Sequence, residues 1–208
     1  MEYVLETRYT QFLEHHLTPS RYQHSLGVMQ VMADLAGIYA LDRKKAVLAG
    51  YLHDAGKDLE PAQQQQIIEE ASIEIFTPCD RDYVLYLHGP VGAYLVHKEL
   101  GITDPLILDA ISMHAFYGAG ENFNSPLVWC LRFADLLEPN RGGWSGPPAF
   151  REGRDLLRKM VYDGRLWESA LFQTSLLIEL FEGKGFPVHP NMKQVYKELS
   201  SQFPTTFS

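Results

Sequence analysis

Residues 48–57 read Leu48-Ala-Gly-Tyr-Leu-His-Asp-Ala-Gly-Lys57. The apolar residues of this stretch recur at helical spacing, which indicates the last turns of a buried helix. His53 and Asp54 then lie at the end of that helix, next to the core. A buried carboxylate is costly unless it is paired or bound to a metal, and an imidazole beside a carboxylate is a ligand pair for a divalent transition metal. A hydrogen-bonded core histidine beside a helix-ending aspartate would give the same dipeptide. Residues elsewhere in the chain must therefore distinguish this interpretation from a metal site.

A helix-start signal recurs along the chain, in which a small polar residue precedes a proline at the first helical position. It occurs at Thr18-Pro19, Thr77-Pro78, Asp104-Pro105 and Ser125-Pro126. Apolar residues follow at spacings of three and four, and further helices are expected after Asp42, from Pro61 to Ala71 and from Pro90 to Gly101. Alternating strand-like patterns are almost absent, so the sequence predicts an all-α protein.

The second half of the chain begins with a loop signal. Residues Arg141 to Pro148 are rich in glycine and proline, which predicts a loop. Helices are expected after it, around Phe150–Val161, Leu166–Phe181 and Pro190–Phe203, with Gly183 to Gly185 ending the middle one.

Composition excludes several classes of protein. The chain has 208 residues and a formal net charge of -8, which argues against nucleic acid or an anionic membrane as the main partner. An anionic substrate would therefore need a local positive site. The two cysteines, Cys79 and Cys130, have no metal-site spacing and indicate a reducing compartment. No signal peptide or membrane-length apolar run is present, so a cytoplasmic location is expected.

Four more polar residues lie on apolar helix faces or at helix ends: His24, His88, His114 and Asp135. Asp135 is the clearest case, because it follows Leu131 by four residues and Val128 by seven. Each residue alone is explained by a core histidine or a capping aspartate. Together they would all need separate buried partners, whereas one metal cluster with His53 and Asp54 satisfies all of them.

The ligand types limit the metals and their chemistry. Imidazole and carboxylate without thiolate suit Fe, Mn, Co, Ni or Zn rather than a structural zinc site. One tetrahedral ion with an open position cannot use all six predicted ligands: His24, His53, Asp54, His88, His114 and Asp135. They fit two ions about 3.5–4 Å apart that share a bridging carboxylate. Such a pair lowers the pKa of bound water and clamps the oxygens of an in-line displacement, which is the chemistry of phosphoester and phosphoanhydride hydrolysis.

The order His…His-Asp…Asp on a helical scaffold resembles the HD-domain metal-dependent phosphohydrolases. Blocks along most of the chain are similar to the bacterial YqeK family: Arg21–Gly27, Ala49–Asp58, Leu87–Ala93, Ala134–Arg141 and Lys184–Pro190. This resemblance implies an all-α HD-domain bundle with a helical C-terminal extension. It implies one domain over residues 1–208, with a core at about 18–141 and C-terminal helices at about 148–203. The implied activity is symmetrical cleavage of diadenosine tetraphosphate to two ADP at a di-iron centre.

The resemblance also implies roles for individual residues. His24, His53, Asp54 and Asp135 would hold one ion, and Asp54 would bridge to a second ion that His88 and His114 also hold. Asp54 and Asp135 would orient the attacking oxygen. Lys57 and Arg141 would contact the phosphates and offset transition-state charge. Arg21 is a further candidate for a phosphate contact. Alternatively, Lys57 is a lysine that the helix dipole favours at a C-terminal end, and Arg21 is a solvated arginine.

One block departs from the family pattern. YqeK-like sequences usually carry Thr-Thr-Gly after the last histidine ligand, whereas this chain has Ala115-Phe-Tyr117, and its loop at 142–146 is longer. Phe116, Tyr117 and Trp144 would stack a base or anchor their loops. Other nucleotide phosphatase activity, a non-catalytic nucleotide sensor and di-iron oxygenase chemistry stay open as alternatives. The expected partner is a small nucleotide, and a homodimer is one of the states that the sequence allows. His15, His16, His97 and His189 are expected outside the site.

Overall fold

The computed structural model describes residues 6–82, 84–118, 124–140 and 146–203. These residues form helices and connecting turns, with no strand among them, which confirms the all-α prediction. The helices are α1 Thr7–His16, α2 Pro19–Ile38, α3 Arg43–Leu52, α4 Pro61–Glu70, α5 Pro78–Asp82, a 3-10 turn Val84–Leu87, α6 His88–Leu100, α7 Pro105–Met113, α8 Pro126–Leu137, α9 Pro148–Tyr162, α10 Leu166–Lys184 and α11 Pro190–Gln202.

The predicted proline starts of α2, α5, α7 and α8 are confirmed, but the capping contacts differ between them. Asp104 and Ser125 accept backbone N–H groups of the first turn, as Asp42 does at α3. Thr18 makes no such contact; its hydroxyl donates instead to Asp58 at 2.8 Å. Proline at the first helical position therefore sets where α2 begins without a side-chain cap.

Two helix ends differ from the prediction by a few residues. Helix α6 begins at His88 rather than Pro90, because a 3-10 turn leads directly into it. Helix α10 continues past Phe181 to Lys184, and Gly185 of the predicted stop caps it, with a φ of 69° in the left-handed region that glycine adopts easily.

Helix α2 packs on α3 and α8, and α7 packs on α3, α6 and α8. Tyr51, Trp129 and Phe133 are fully buried between these helices. Gly50 allows the close approach of α3 to α2, because a Cβ there would lie 2.8 Å from the side chain of Met32. This packing brings the C-terminal ends of α3 and α7 next to the central part of α2 and to α8.

The C-terminal helices pack against the same bundle. Helix α9 contacts α8 and α10, and α10 contacts α8 and α11. The domain limits inferred from the sequence stay a prediction. Within the described ranges, no helix combines the length and apolar character that crossing a membrane requires.

Candidate metal centre

The predicted ligands come from five different places in the fold and meet in one buried region. His24 lies in α2, and Asp135 lies near the end of α8. His53 and His114 are the residues at which α3 and α7 end, and His88 begins α6. The structure thus places all the predicted ligands together, with Asp54 in the turn after α3.

The first cluster consists of His24, His53 and Asp135, whose ligand atoms lie within 4.8 Å of one another. The Oδ1 atom of Asp135 is 3.0 Å from Nε2 of His24 and 3.7 Å from Nε2 of His53. Asp54 approaches the same cluster, with its Oδ2 3.7 Å from Nε2 of His24. These four residues are the ones predicted to hold the first ion.

A second group, His53, Asp54 and His114, also has its ligand atoms within 4.8 Å of one another, and His88 adjoins it. Asp54, His88 and His114, the residues predicted for the second ion, are called the second cluster here. The Oδ1 atom of Asp54 lies 3.2 Å from Nε2 of His88 and 3.8 Å from Nε2 of His114. Asp54 is the carboxylate that reaches both clusters, since its other oxygen faces His24. This is the position that a bridging ligand requires.

Backbone carbonyls fix the orientation of three imidazole rings. The Nδ1 atom of His53 lies 2.9 Å from the carbonyl oxygen of Gly50, and Nδ1 of His114 lies 2.7 Å from that of Ile111. His88 makes the equivalent contact with the carbonyl of Leu85. Because a carbonyl only accepts, each Nδ1 must carry the proton and donate. Each Nε2 then presents a lone pair toward Asp54, as in histidine ligands oriented by an outer hydrogen bond.

The arrangement of these lone pairs fits metal ions. The Nε2 atoms of His88 and His114 are 2.9 Å apart, and two acceptors at that distance repel each other unless a cation lies between them. The Nε2 atom of His53 is buried and has no hydrogen-bond partner in the described structure. Buried polar atoms normally have partners, so both features favour cations held by these rings.

The ionisation of the ligands is consistent with this donor set. Burial, together with the nearby rings of His88 and His53, lowers the pKa of His114 well below its usual value, so the ring is neutral as a ligand must be. Burial acts to raise the pKa of Asp54, but electrostatic interactions with His53 and Lys57 and a hydrogen bond with His88 outweigh burial and hold the pKa well below its usual value. A charged carboxylate therefore lies beside the neutral ring of His114.

Glu138 is a residue of the site that the sequence analysis missed. It is fully buried, and its Oε1 lies 2.9 Å from Nδ1 of His24. Burial acts to lower the pKa of His24, but hydrogen bonds with Asp135 and then with Glu138 outweigh burial and raise the pKa to about 9. Glu138 therefore makes the position around His24 favourable for a cation. The sequence did contain a signal for it, because Glu138 follows Asp135 by three residues and so lies on the same side of the end of α8.

Glycines allow the backbone to approach closely around His88. A Cβ on Gly89 would overlap the carbonyl oxygen of Ser112, and one on Gly56 would lie 2.6 Å from the carbonyl oxygen of His88. The start of α6 can therefore pack directly against the end of α7. This contact places His88 beside His114.

The predicted substrate contacts fall at different places. Lys57 Nζ lies 3.2 Å from Nε2 of His88, at the edge of the second cluster. Arg21 Nη1 lies 3.2 Å from Oδ2 of Asp54, and Arg21 Nε lies 3.5 Å from Oδ1 of Asp58. Arg141 and Trp144 lie outside the described residues.

The aromatic residues after His114 act as loop anchors in this structure. Phe116 is buried, and the guanidinium of Arg132 lies 4.4 Å from its ring centroid. The Tyr117 hydroxyl donates to the carbonyl of Glu74 at 2.8 Å, and the ring contacts Phe76. Both rings are buried from bulk solvent, and Phe116 also lines a cavity beside His114.

The histidines expected outside the site have other contacts. His16 pairs with Glu99, and His97 donates to the carbonyl of Ile102. His189 caps α11 and lies 2.8 Å from Asp80, both fully buried. His15 contacts the ring of His16.

Comparison with known proteins gives a consistent result. The HD domain family matches residues 21–140. The chain is 32% identical to a protein of Halalkalibacterium halodurans and 36% identical to one of Bacillus subtilis, over 91% of this chain and 94% of each relative. Both relatives are named symmetrical bis(5'-nucleosyl)-tetraphosphatase.

A crystal structure from Clostridium acetobutylicum is also similar. It is described as that of a predicted HD superfamily hydrolase involved in NAD metabolism. It aligns with a TM-score of 0.81 at 32% identity, over 94% of this chain and 97% of its own. The chain belongs to the HD-domain family, and within it to the group that includes the symmetrical bis(5'-nucleosyl)-tetraphosphatases of Bacillus subtilis and Halalkalibacterium halodurans.

Proposed function

We propose that this protein is a metal-dependent hydrolase that cleaves diadenosine tetraphosphate symmetrically into two ADP. The observation that carries the proposal is Asp54, which four imidazole nitrogens surround. Its Oδ2 lies 3.7 Å from Nε2 of His24, and its Oδ1 lies within 3.8 Å of Nε2 of His53, His88 and His114. Membership of the HD-domain family implies divalent metal binding, and the relatives act on a dinucleoside tetraphosphate by name.

The reaction adds water across the central phosphoanhydride. The water oxygen bonds to one of the two inner phosphorus atoms, the central P–O–P bridge breaks on the far side, and one ADP leaves. Metal ions in this site would activate water and neutralise phosphate oxygens. ADP is a good leaving group, so no strong general acid is needed.

The protein residues have complementary roles in this proposal. His24, His53, Asp54 and Asp135 would hold one ion, and His88, His114 and Asp54 would hold the other. Asp54 and Asp135 orient the attacking water. Lys57, Arg21 and Arg141 supply positive charge for the phosphate chain, which matters in a chain of net charge -8. We propose iron as the metal, with Mn, Co, Ni and Zn as ions that the same ligands accept.

An assay of diadenosine tetraphosphate hydrolysis with added Fe(II), Mn(II) or Co(II) tests the proposal. Symmetrical cleavage gives ADP as the nucleotide product, whereas asymmetrical cleavage gives ATP and AMP. We expect ADP alone, with activity lost on chelation and restored by metal. A protein with loaded metal that turns over no nucleotide would contradict hydrolysis and favour a nucleotide sensor.

Lys57→Ala tests the proposed phosphate contact separately from the metals. The ammonium lies beside His88 but has no lone pair with which to bind a metal, so we expect metal content to stay at the wild-type level. A charge-assisted hydrogen bond contributes about 1.5–3 kcal/mol, so kcat/KM should fall about 10- to 100-fold. Lys98→Ala is the control, because Lys98 pairs with Glu70 on the exposed surface. Unchanged kinetics in Lys57→Ala would remove Lys57 from the site.

A further inference from the structure

A cavity adjoins the second metal cluster. His88, His114, Asp135 and Lys57 border it at one end. Beyond them the lining is largely apolar and includes Leu136 of α8 and the ring of Phe116, with Arg132 as a cationic member. A ligand whose phosphates lie at the metal centre would therefore meet an apolar surface next to them.

The C-terminal extension supplies one side of this cavity. Gln173, Leu177 and Phe181 follow one another at intervals of four residues, so they lie on one face of α10, and Met192 of α11 joins them. All these residues lie beyond residue 140, where the match to the HD domain ends. The metal ligands and this side of the cavity thus come from different parts of the chain.

Gln173 is the polar residue on that face of α10. It is 1% exposed, and its Nε2 donates to the backbone carbonyl of Arg132 at 2.9 Å. Because that carbonyl only accepts, the amide has one allowed orientation, with Oε1 on its other branch. The Oε1 atom has no hydrogen-bond partner in the described part of the chain. A buried amide oxygen of this kind is matched by a ligand that brings an N–H donor.

We propose that this cavity receives an adenine base of the substrate and that Oε1 of Gln173 accepts a hydrogen bond from the exocyclic amine. The inference rests on the proposed function, because the phosphates at the metal centre place the base. The flat faces of adenine suit the apolar lining. The amine is the only N–H group of the base in a nucleotide, and Gln173 offers an acceptor of fixed orientation. Gln173 is thus a specificity-determining residue.

The test compares ADP with purine riboside 5'-diphosphate, which differs from ADP by lacking the exocyclic amine. Binding of both to the metal-loaded protein is measured by isothermal titration calorimetry. A buried hydrogen bond of ordinary strength corresponds to about a tenfold change in affinity. We expect wild type to bind ADP about tenfold more tightly than purine riboside 5'-diphosphate. Gln173→Met should bind the two ligands equally, because the variant has no acceptor for the exocyclic amine of ADP.

Gln194→Met is the matched control. Gln194 is exposed on α11 and pairs with Glu198, so the preference for ADP should stay at the wild-type value. Equal binding of the two diphosphates to wild type overturns the inference, and so does a preference that survives in Gln173→Met. If Gln173→Met does not fold, the wild-type comparison alone decides.

Binding of a product does not depend on turnover, so the two proposals fail separately. Hydrolysis of diadenosine tetraphosphate with equal binding of the two diphosphates would overturn the role of Gln173 and leave the proposed function intact. A preference for ADP without hydrolysis of diadenosine tetraphosphate would overturn the proposed function and support an adenine site. Failure of both diphosphates to bind would overturn the nucleobase cavity.

Discussion

Asp54→Ala is expected to lower the hydrolysis of diadenosine tetraphosphate by about a thousandfold or more and to release bound metal. In the wild-type protein, the two carboxylate oxygens of Asp54 face both clusters. One lies 3.2 Å from Nε2 of His88, and the other lies 3.7 Å from Nε2 of His24. Metal ions contribute several kcal/mol of transition-state stabilisation, and each 1.36 kcal/mol is a factor of ten in rate. Metal content by elemental analysis and the rate of ADP release measure the two effects.

Asp58→Ala is the matched control for this variant. Asp58 lies in the same block of sequence but accepts hydrogen bonds from Thr18, away from the imidazole nitrogens. We expect it to keep its metal. Circular dichroism of Asp54→Ala should show wild-type helix content, because the buried apolar residues pack the helices together. Wild-type metal content and rate in Asp54→Ala would refute the bridging role.

Gly89→Ala is expected to have the second largest effect, on stability and activity together. The added Cβ would overlap the carbonyl oxygen of Ser112 and lie 2.9 Å from that of Ile111. Both contacts are with backbone, so α6 and α7 must move apart. Overpacking of this kind costs about 1–3 kcal/mol of unfolding free energy. A displacement of about 1 Å at an active site costs on the order of a hundredfold in rate, because His88 and His114 would separate.

Gly183→Ala is the control for the glycine substitution. Gly183 is also helical, but a Cβ there meets nothing within 4 Å. Alanine is the better helix former by about 0.5–1 kcal/mol, so this variant should be as stable as wild type or more stable. Urea unfolding measures both variants. If Gly89→Ala unfolds at the wild-type urea concentration and keeps full activity, the close contact between α6 and α7 is not required.

Local signals in the sequence predicted most of the helices. A proline at the first helical position acts within its own turn, so the starts of α2, α7 and α8 are readable from adjacent residues. Thr18 precedes α2 without capping it, because its hydroxyl bonds instead to Asp58, forty residues away. Such a competing partner depends on the tertiary fold, which local patterns do not contain.

The same distinction applies to the site. Asp135 was found because its spacing from Leu131 places a carboxylate on a buried helix face. Glu138 was missed because its partner His24 is 114 residues away in sequence. Gln173 was missed for a related reason, since its one described bond is to the backbone carbonyl of Arg132. Roles that depend on a distant partner need the three-dimensional arrangement.

The number of metal ions that full activity requires is the most direct test of this site. The metal-free protein is titrated with Co(II), and bound metal per chain is measured together with the rate of ADP release from diadenosine tetraphosphate. Two clusters that share Asp54 predict that activity rises to a plateau at two ions per chain. Full activity with a single ion, or activity that persists after chelation, would contradict a paired-ion centre at these residues.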